Sequence, residues 1–140
     1  MIDERQTKSA IRIVEEDVTG EIIGAAMSVH RELGPGLLES AYQPSMCHEL
    51  TLRGIPFRSQ VEPPVAYKGV RLDCGYRIDL LVEDLVVVEL KAVDAIAPVH
   101  QAQLLSYLKL SGKSLGLLIN FNVVHLKDGI RRFVNGTGRK

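Results

Sequence analysis

An excess of charge of either sign is missing from this sequence. Seventeen Lys and Arg face seventeen Asp and Glu over 140 residues, for a formal net charge of +0 at pH 7. Bulk charge therefore gives no footprint for nucleic acid, and any such binding must come from a local patch. Cysteine is scarce too. Cys47 and Cys74 stand far apart without metal-ligand spacing, and with no secretory signal at the start the expectation is free thiols in a reducing, cytoplasmic compartment. No apolar run approaches the roughly 18 residues of a membrane span. Internal repeats, low-complexity segments and domain linkers are also absent. A chain of this length, 46% hydrophobic, is expected to bury roughly two-thirds of its unfolded surface in one domain. The expected division is an arm over 1–16, a domain over 17–136 and a tail over 137–140.

What is present is a readable order of elements. Ile22, Ile23, Ala26, Val29 and Leu33 recur at helical spacing after Asp17 or Thr19, either of which can cap, and Gly34-Pro35-Gly36 ends that helix. Residues 1–16 are expected as a loose arm or as an added strand through Ile11 and Ile13. A second helix is predicted from about Leu38 to Arg53, burying Ala41, Tyr42, Met46 and Leu50; Pro44 should kink it or mark a late start. Strands over Gln60–Tyr67, Val70–Val82 and Val86–Lys91 form a predicted meander, with a Lys68-Gly69 turn and an irregularity at Pro63-Pro64. A helix from about Pro98 to Leu110 and a buried strand over Leu115–Phe121 follow. A hairpin through Lys127-Asp128-Gly129 to Phe133 and Val134, read as a short β pair, ends the order.

The charges that need a reason lie in the apolar middle. Asp79 and Glu89-Leu90-Lys91 sit among Ile78, Leu80, Leu81, Val82 and Val86 to Val88. Charges inside buried strands are costly unless a partner or a metal compensates. Magnesium takes oxygen ligands, commonly one or two carboxylates with waters and a phosphate oxygen, and Asp79 and Glu89 on neighbouring strands could anchor it. Residues i and i+2 of a strand share a face, so Lys91 lies beside Glu89, where an ammonium can steady an attacking water or phosphoryl charge.

The pairing makes a geometric demand. Asp79 opposite Glu89 requires Leu81 opposite Val87 and Val82 opposite Val86, and hence a three-residue Glu83-Asp84-Leu85 connection or a bulge. A two-residue turn would throw Glu89 to the other face. The plainer alternative is a Glu89–Lys91 ion pair at a sheet margin, with Asp79 capping a turn. Two further features accompany these charges. Gln103 and Tyr107 lie four residues apart on one helix face, and Gly36, Glu39 and Tyr42 place a third carboxylate at a helix start.

Together these residues resemble the GxxExxY family, a small-domain branch of the PD-(D/E)xK nuclease-like superfamily, over about Thr19 to Val134. Gly36, Glu39 and Tyr42 match the name-giving motif, Asp79 with Glu89-Leu90-Lys91 the core signature, and Gln103 with Tyr107 the QxxxY element. The resemblance implies a restriction-endonuclease-like α/β (α+β) fold: an αβββαβ core with a central mixed sheet flanked by helices and an added C-terminal β hairpin. It implies a site in which Asp79 and Glu89 hold Mg²⁺ or Mn²⁺, the Leu90 carbonyl adds a ligand and Lys91 assists the water. Glu39 would bind a second metal or orient that water, and Gln103 and Tyr107 would orient DNA or the other site residues. Pro44, just after the named motif, departs from the pattern.

The expected activity is metal-dependent hydrolysis of DNA phosphodiester bonds, with RNA as the other substrate option and a homodimer or protein partner as a source of specificity. The rival from another class is a catalytically inactive nucleic-acid or protein-interaction module of the same fold.

Other motifs fit structural roles better. Ser111-Gly112-Lys113-Ser114 follows a helix instead of preceding one and reads as a helix stop. His30, His48, His100 and His125 lack paired zinc spacing and read as packed or solvated, though His100 precedes Gln103 in a first turn where it could reach a phosphate. Cys47 beside His48 reads as a structural thiol. Lys127, Arg131, Arg132, Arg139 and Lys140 form a basic stretch, either a solvated face or a phosphate contact.

Overall fold

Alternation in the Val- and Leu-rich segments builds a sheet with a core on each side. In the computed structural model, residues 4–73 and 75–135 are described, with side chains from residue 14 onward. The helices are α1 (Glu4–Leu33), α2 (Glu39–Leu52) and α3 (Pro98–Ser111). The strands are β1 (Phe57–Val61), β2 (Val65–Tyr67), β3 (Val70–Leu72), β4 (Ile78–Val82), β5 (Val86–Lys91), β6 (Leu115–Asn120) and β7 (Ile130–Val134). Five strands form a mixed sheet in the order β1-β4-β5-β6-β7, with β5 and β6 parallel and the other pairs antiparallel. This is the restriction-endonuclease-like architecture expected from the sequence.

Each face of the sheet has its own apolar layer. Leu80, Val82, Val86, Val88, Leu90, Leu117 and Ile119 pack against Ile22, Ala26, Met46 and Leu50 of α1 and α2. Leu81, Val87 and Leu118 pack against Leu104, Tyr107 and Leu108 of α3. β4, β5 and β6 are covered on both sides and are therefore nearly continuous in apolar residues. Helix α3 approaches closely because β6 has Gly116, whose missing Cβ would stand 2.9 Å from the Leu104 side chain.

Three expectations about the elements are corrected, and the late start expected at Pro44 is excluded. Residues 4–16, expected as an arm or a strand, belong to α1. Glu15, Val18, Thr19 and Ile22 are all buried at helical spacing, so the periodicity continues upstream of the expected cap, and the Thr19 hydroxyl donates to the Glu15 carbonyl within the helix. The α2 helix continues through Pro44. The proline leaves only the Ser40 carbonyl without its helical donor, one turn from the N-terminus, where both residues are exposed to water.

The long strands are each divided. Pro63 and Pro64 have no N–H to offer a ladder, and at Gly75 (φ +76) the amide turns back to the Asp73 carboxylate. The meander is thus β1 paired with β4, while β2 and β3 form a separate two-stranded sheet. At the C-terminal end β7 returns as a single strand onto β6 through a 3-10 turn over Leu126–Gly129.

Candidate active site

The site forms where the β4–β5 ladder gives way to side chains. Leu80 faces Val88, Leu81 faces Val87 and Val82 faces Val86, the register that the sequence demanded. Glu83 and Asp84 take φ +56 and +55, the paired positive values of a type I′ turn, and the extra residue Leu85 completes the three-residue connection. One step beyond Leu80, the amide of Asp79 donates to Glu89 Oε1 at 3.1 Å and the amide of Leu90 donates to Asp79 Oδ2 at 2.8 Å. Each carboxylate is therefore fixed by the backbone of the opposing strand.

Burial gives this pair its electrostatic character. Glu89 is 3% exposed. Desolvation first, and then the charge of Asp79, push its carboxyl up to about 8, against the opposing pull of the Asp79 amide and Lys91. Asp79 is also raised, mainly by burial, with the Leu90 amide and Lys91 resisting. Two carboxyls this close hold a shared proton near neutral pH when nothing else neutralises them.

The remaining expected residues gather around the pair. Lys91 Nζ donates to Gln103 Oε1 at 3.5 Å. Gln103 in turn hydrogen-bonds Tyr107, whose hydroxyl is pushed up to about 12 by burial and then by the nearby Glu89 and Asp79 charges. Glu39 opens α2 at the rim, exposed, with its carboxyl raised by partial burial and then by Asp79, and lowered by Lys91.

The loop before Glu39 explains the spacing of its motif. Tyr42 stacks on Phe121 at 4.5 Å between ring centroids and 9° between planes. Its hydroxyl donates to the Gly34 carbonyl at 2.6 Å and accepts the Leu37 amide at 3.3 Å. Gly36, at φ +97, gives its amide to Asn122 Oδ1. The Gly bends the chain, the Tyr ties the bend to the helix, and Glu39 is held between them.

One protein-family model, described as the PD-(D/E)XK nuclease superfamily, matches residues 16–133. The chain belongs to the PD-(D/E)XK nuclease superfamily. No curated protein and no solved structure matches it. Nucleases of this superfamily generally use divalent metals, and the donor chemistry here is compatible: a buried and a half-buried carboxylate, side by side, repel each other in a way that a divalent cation would relieve. Among the described residues, no group of three His, Cys, Asp or Glu side chains is placed to hold an ion.

Two contributors were not foreseen. Gln43 Nε2 donates to the Asp79 carbonyl at 3.1 Å, one helical turn after Glu39. Gln60 hydrogen-bonds the Asp79 carboxylate from β1 while holding φ +53, a costly conformation for a side chain other than Gly. The Gln43 spacing from Glu39 was a usable signal, whereas nothing local marks Gln60. Asn120, buried, braces the loop after Lys91 by bonding both the amide and the carbonyl of Val93.

The residues set aside have structural roles or lie elsewhere. His30 Nε2 lies 2.8 Å from the Val123 carbonyl, and His100 Nδ1 accepts the Ala97 amide at the start of α3. Gly112 stops α3 in a left-handed conformation. Cys47 is a free thiol raised by burial, which disfavours the reactive thiolate; Cys74 lies outside the described residues. Arg131 donates to the Asp128 carbonyl and Arg132 lies 3.9 Å from Glu16, while Arg139 and Lys140 lie outside the described residues. A groove of about 670 Å³ between α1 and α2 is lined by Arg31, Glu32, His48 and Leu52 and includes none of the expected site residues. Among the described residues, no helix is long and apolar enough to cross a membrane.

Proposed function

We propose that the protein is a metal-dependent nuclease that hydrolyses DNA phosphodiester bonds, with Asp79 and Glu89 as the carboxylate anchors for Mg²⁺ or Mn²⁺. The observation behind this reading is the reciprocal hold of Asp79 and Glu89 on each other's strands, which keeps a half-buried and a buried carboxylate side by side, with Lys91 on the same strand as Glu89. A bound divalent ion would supply Lewis-acid stabilisation of phosphoryl and leaving-group oxygens. The Leu90 carbonyl, next to Glu89, is a further ligand in this reading. The Lys91 ammonium, steadied by Gln103, orients the attacking water through a hydrogen bond to its oxygen.

Glu39 faces the same space from the rim and aligns that water, while Tyr107 braces Gln103. In hydrolysis the water oxygen bonds to phosphorus and gives up a proton, the bridging P–O bond breaks, and the departing oxygen takes up a proton. The Gly36, Glu39 and Tyr42 arrangement supports assignment to the GxxExxY branch. A small domain of this kind would gain specificity from a second copy or a protein partner, and a cytoplasmic location accords with the free Cys47 thiol.

The test is cleavage of single-stranded, duplex and branched DNA, with RNA alongside, by wild type and Asp79→Ala in Mg²⁺, Mn²⁺ and EDTA. Metal-dependent cutting that vanishes with Asp79→Ala is expected. Cutting that survives in Asp79→Ala would refute the assignment. Binding without cutting on every substrate would favour the inactive module.

A further inference from the structure

We infer that the β2–β3 hairpin is the element that grips substrate, stacking on the unpaired bases of a single nucleic-acid strand; the inference rests on the nuclease reading and specifies its substrate. In the chain the hairpin lies between β1, which contains Gln60, and β4, which contains Asp79. Both of its ends therefore lead to the candidate site.

The hairpin has an apolar face without a core to cover it. Tyr67 pairs with Val70 and Val65 with Leu72, so these four side chains share one face of the two-stranded sheet, with Ala66 and Arg71 on the other. Tyr67 is 63% exposed and Val70 60%. A lone two-stranded hairpin is only marginally stable in water, so exposing Tyr and Val on it does little for folding and calls for another reason.

Charge indicates the kind of occupant. From residue 62 to 77 the charged side chains are Glu62, Lys68, Arg71, Asp73 and Arg77, and Asp73 is held by Arg77 at 3.7 Å. Lys68 and Arg71 are therefore the cations of the hairpin itself, Lys68 at its turn beside Tyr67 and Arg71 on the opposite face. The Lys68 ammonium stands 5.4 Å from the Tyr67 ring centroid, so cation and aromatic face are presented together. At the base of the hairpin Tyr76, 52% exposed, lies 6.4 Å from Tyr107, which senses the charges of Glu89 and Asp79. Tyr76 thus links the chain leaving the hairpin to Tyr107 of α3, beside the candidate site.

Exposed aromatic rings beside cations are how proteins hold single strands, the rings stacking on bases and the cations meeting phosphates. A duplex keeps its base faces stacked on one another, so such a platform grips where bases are unpaired.

The experiment is fluorescence anisotropy of a labelled 20-thymidine strand and a blunt duplex of equal length, titrated in EDTA over a range of NaCl. The proteins are wild type, Tyr67→Ala, Tyr67→Phe and the double variant Lys68→Gln/Arg71→Gln. Wild type is expected to prefer the single strand, and Tyr67→Ala to weaken that binding on the order of 10-fold or more, with Tyr67→Phe close to wild type. The double variant should lower the salt slope by about 0.7 for each charge removed.

Equal binding by Tyr67→Ala and wild type overturns the inference, as does a preference for duplex. A change of mass by light scattering in Tyr67→Ala with unchanged DNA affinity also overturns it, marking the hairpin as a contact between copies. Tyr67-dependent binding without cleavage in any metal would uphold the hairpin and refute the nuclease. Metal-dependent cleavage with a Tyr67-independent affinity would do the reverse.

Discussion

Asp79 and Glu89 each accept a backbone amide from the other's strand, Glu89 from Asp79 itself at 3.1 Å and Asp79 from Leu90 at 2.8 Å. The arrangement ends the β4–β5 ladder with side chains in place of carbonyls, so the two strands diverge at the point where both carboxylates are brought together. Positioning is built into the backbone, and the cost is the repulsion between the buried Glu89 and the half-buried Asp79.

That repulsion predicts a pH-dependent stability. The Glu89 carboxyl has an ordinary value of 4.5 and rises to about 8 in the folded protein. Between those values the folded state keeps a proton that the unfolded state has released, so metal-free stability falls as pH rises through this window and is insensitive to Glu89 below it. Melting temperatures in EDTA should decline from pH 5 to pH 8. Mn²⁺ should restore more of the loss at the alkaline end, because ligation requires the deprotonated carboxylates.

Glu89→Gln should separate stability from metal binding. The amide keeps an acceptor for the Asp79 N–H while removing one buried acid, so in EDTA at pH 8 the variant should melt above wild type. It should also gain little from Mn²⁺ and lose cleavage by about 100- to 1000-fold, on the scale of a lost electrostatic contributor. A Mn²⁺-induced rise in melting temperature equal to that of wild type would contradict the metal role of Glu89.

Tyr42→Phe removes the hydroxyl that joins the Gly34 carbonyl to the Leu37 amide while keeping the stack on Phe121. The expected loss is about 1 kcal/mol in urea unfolding, typical of a hydrogen bond in a protein. Because the loop presents Glu39, turnover should fall more than stability does. An unchanged rate alongside the stability loss would separate the loop from catalysis.

Gly129→Ala should be severe. A Cβ at this position would stand 2.1 Å from the Asn120 carbonyl oxygen, a backbone atom that cannot move without disturbing the end of β6. Destabilisation of at least about 2 kcal/mol is expected, as for other overpacked positions, measured by thermal melting. A melting temperature within a degree of wild type would show that the 3-10 turn yields.

The charges within the Val- and Leu-rich strands were legible in the sequence because they break a strong local pattern. The three-residue turn followed from simple parity: only an odd number of connecting residues keeps Asp79 and Glu89 on one face, and the ladder has that register. Helix stops at Gly34 and Gly112 and the buried strand at Leu115 were equally local signals. The start of α1 was misread because a candidate cap at Asp17 or Thr19 looked like a boundary, while the burial of Glu15 and Val18 that extends the helix depends on distant packing. The division of the long strands at Pro63-Pro64 and Gly75 was likewise settled by which edges found partners.

By itself the sequence determined the strand periods, the pairing parity and the charged positions that break the apolar strands, since each depends on neighbours along the chain. Tertiary structure alone decided that Gln43 and Gln60 meet Asp79, that Tyr42 ties down the loop before Glu39, and that Glu89 is buried deeply enough to raise its carboxyl to about 8. Those facts depend on contacts between elements separated by tens of residues, and on the exclusion of water that only the assembled sheet and helices impose.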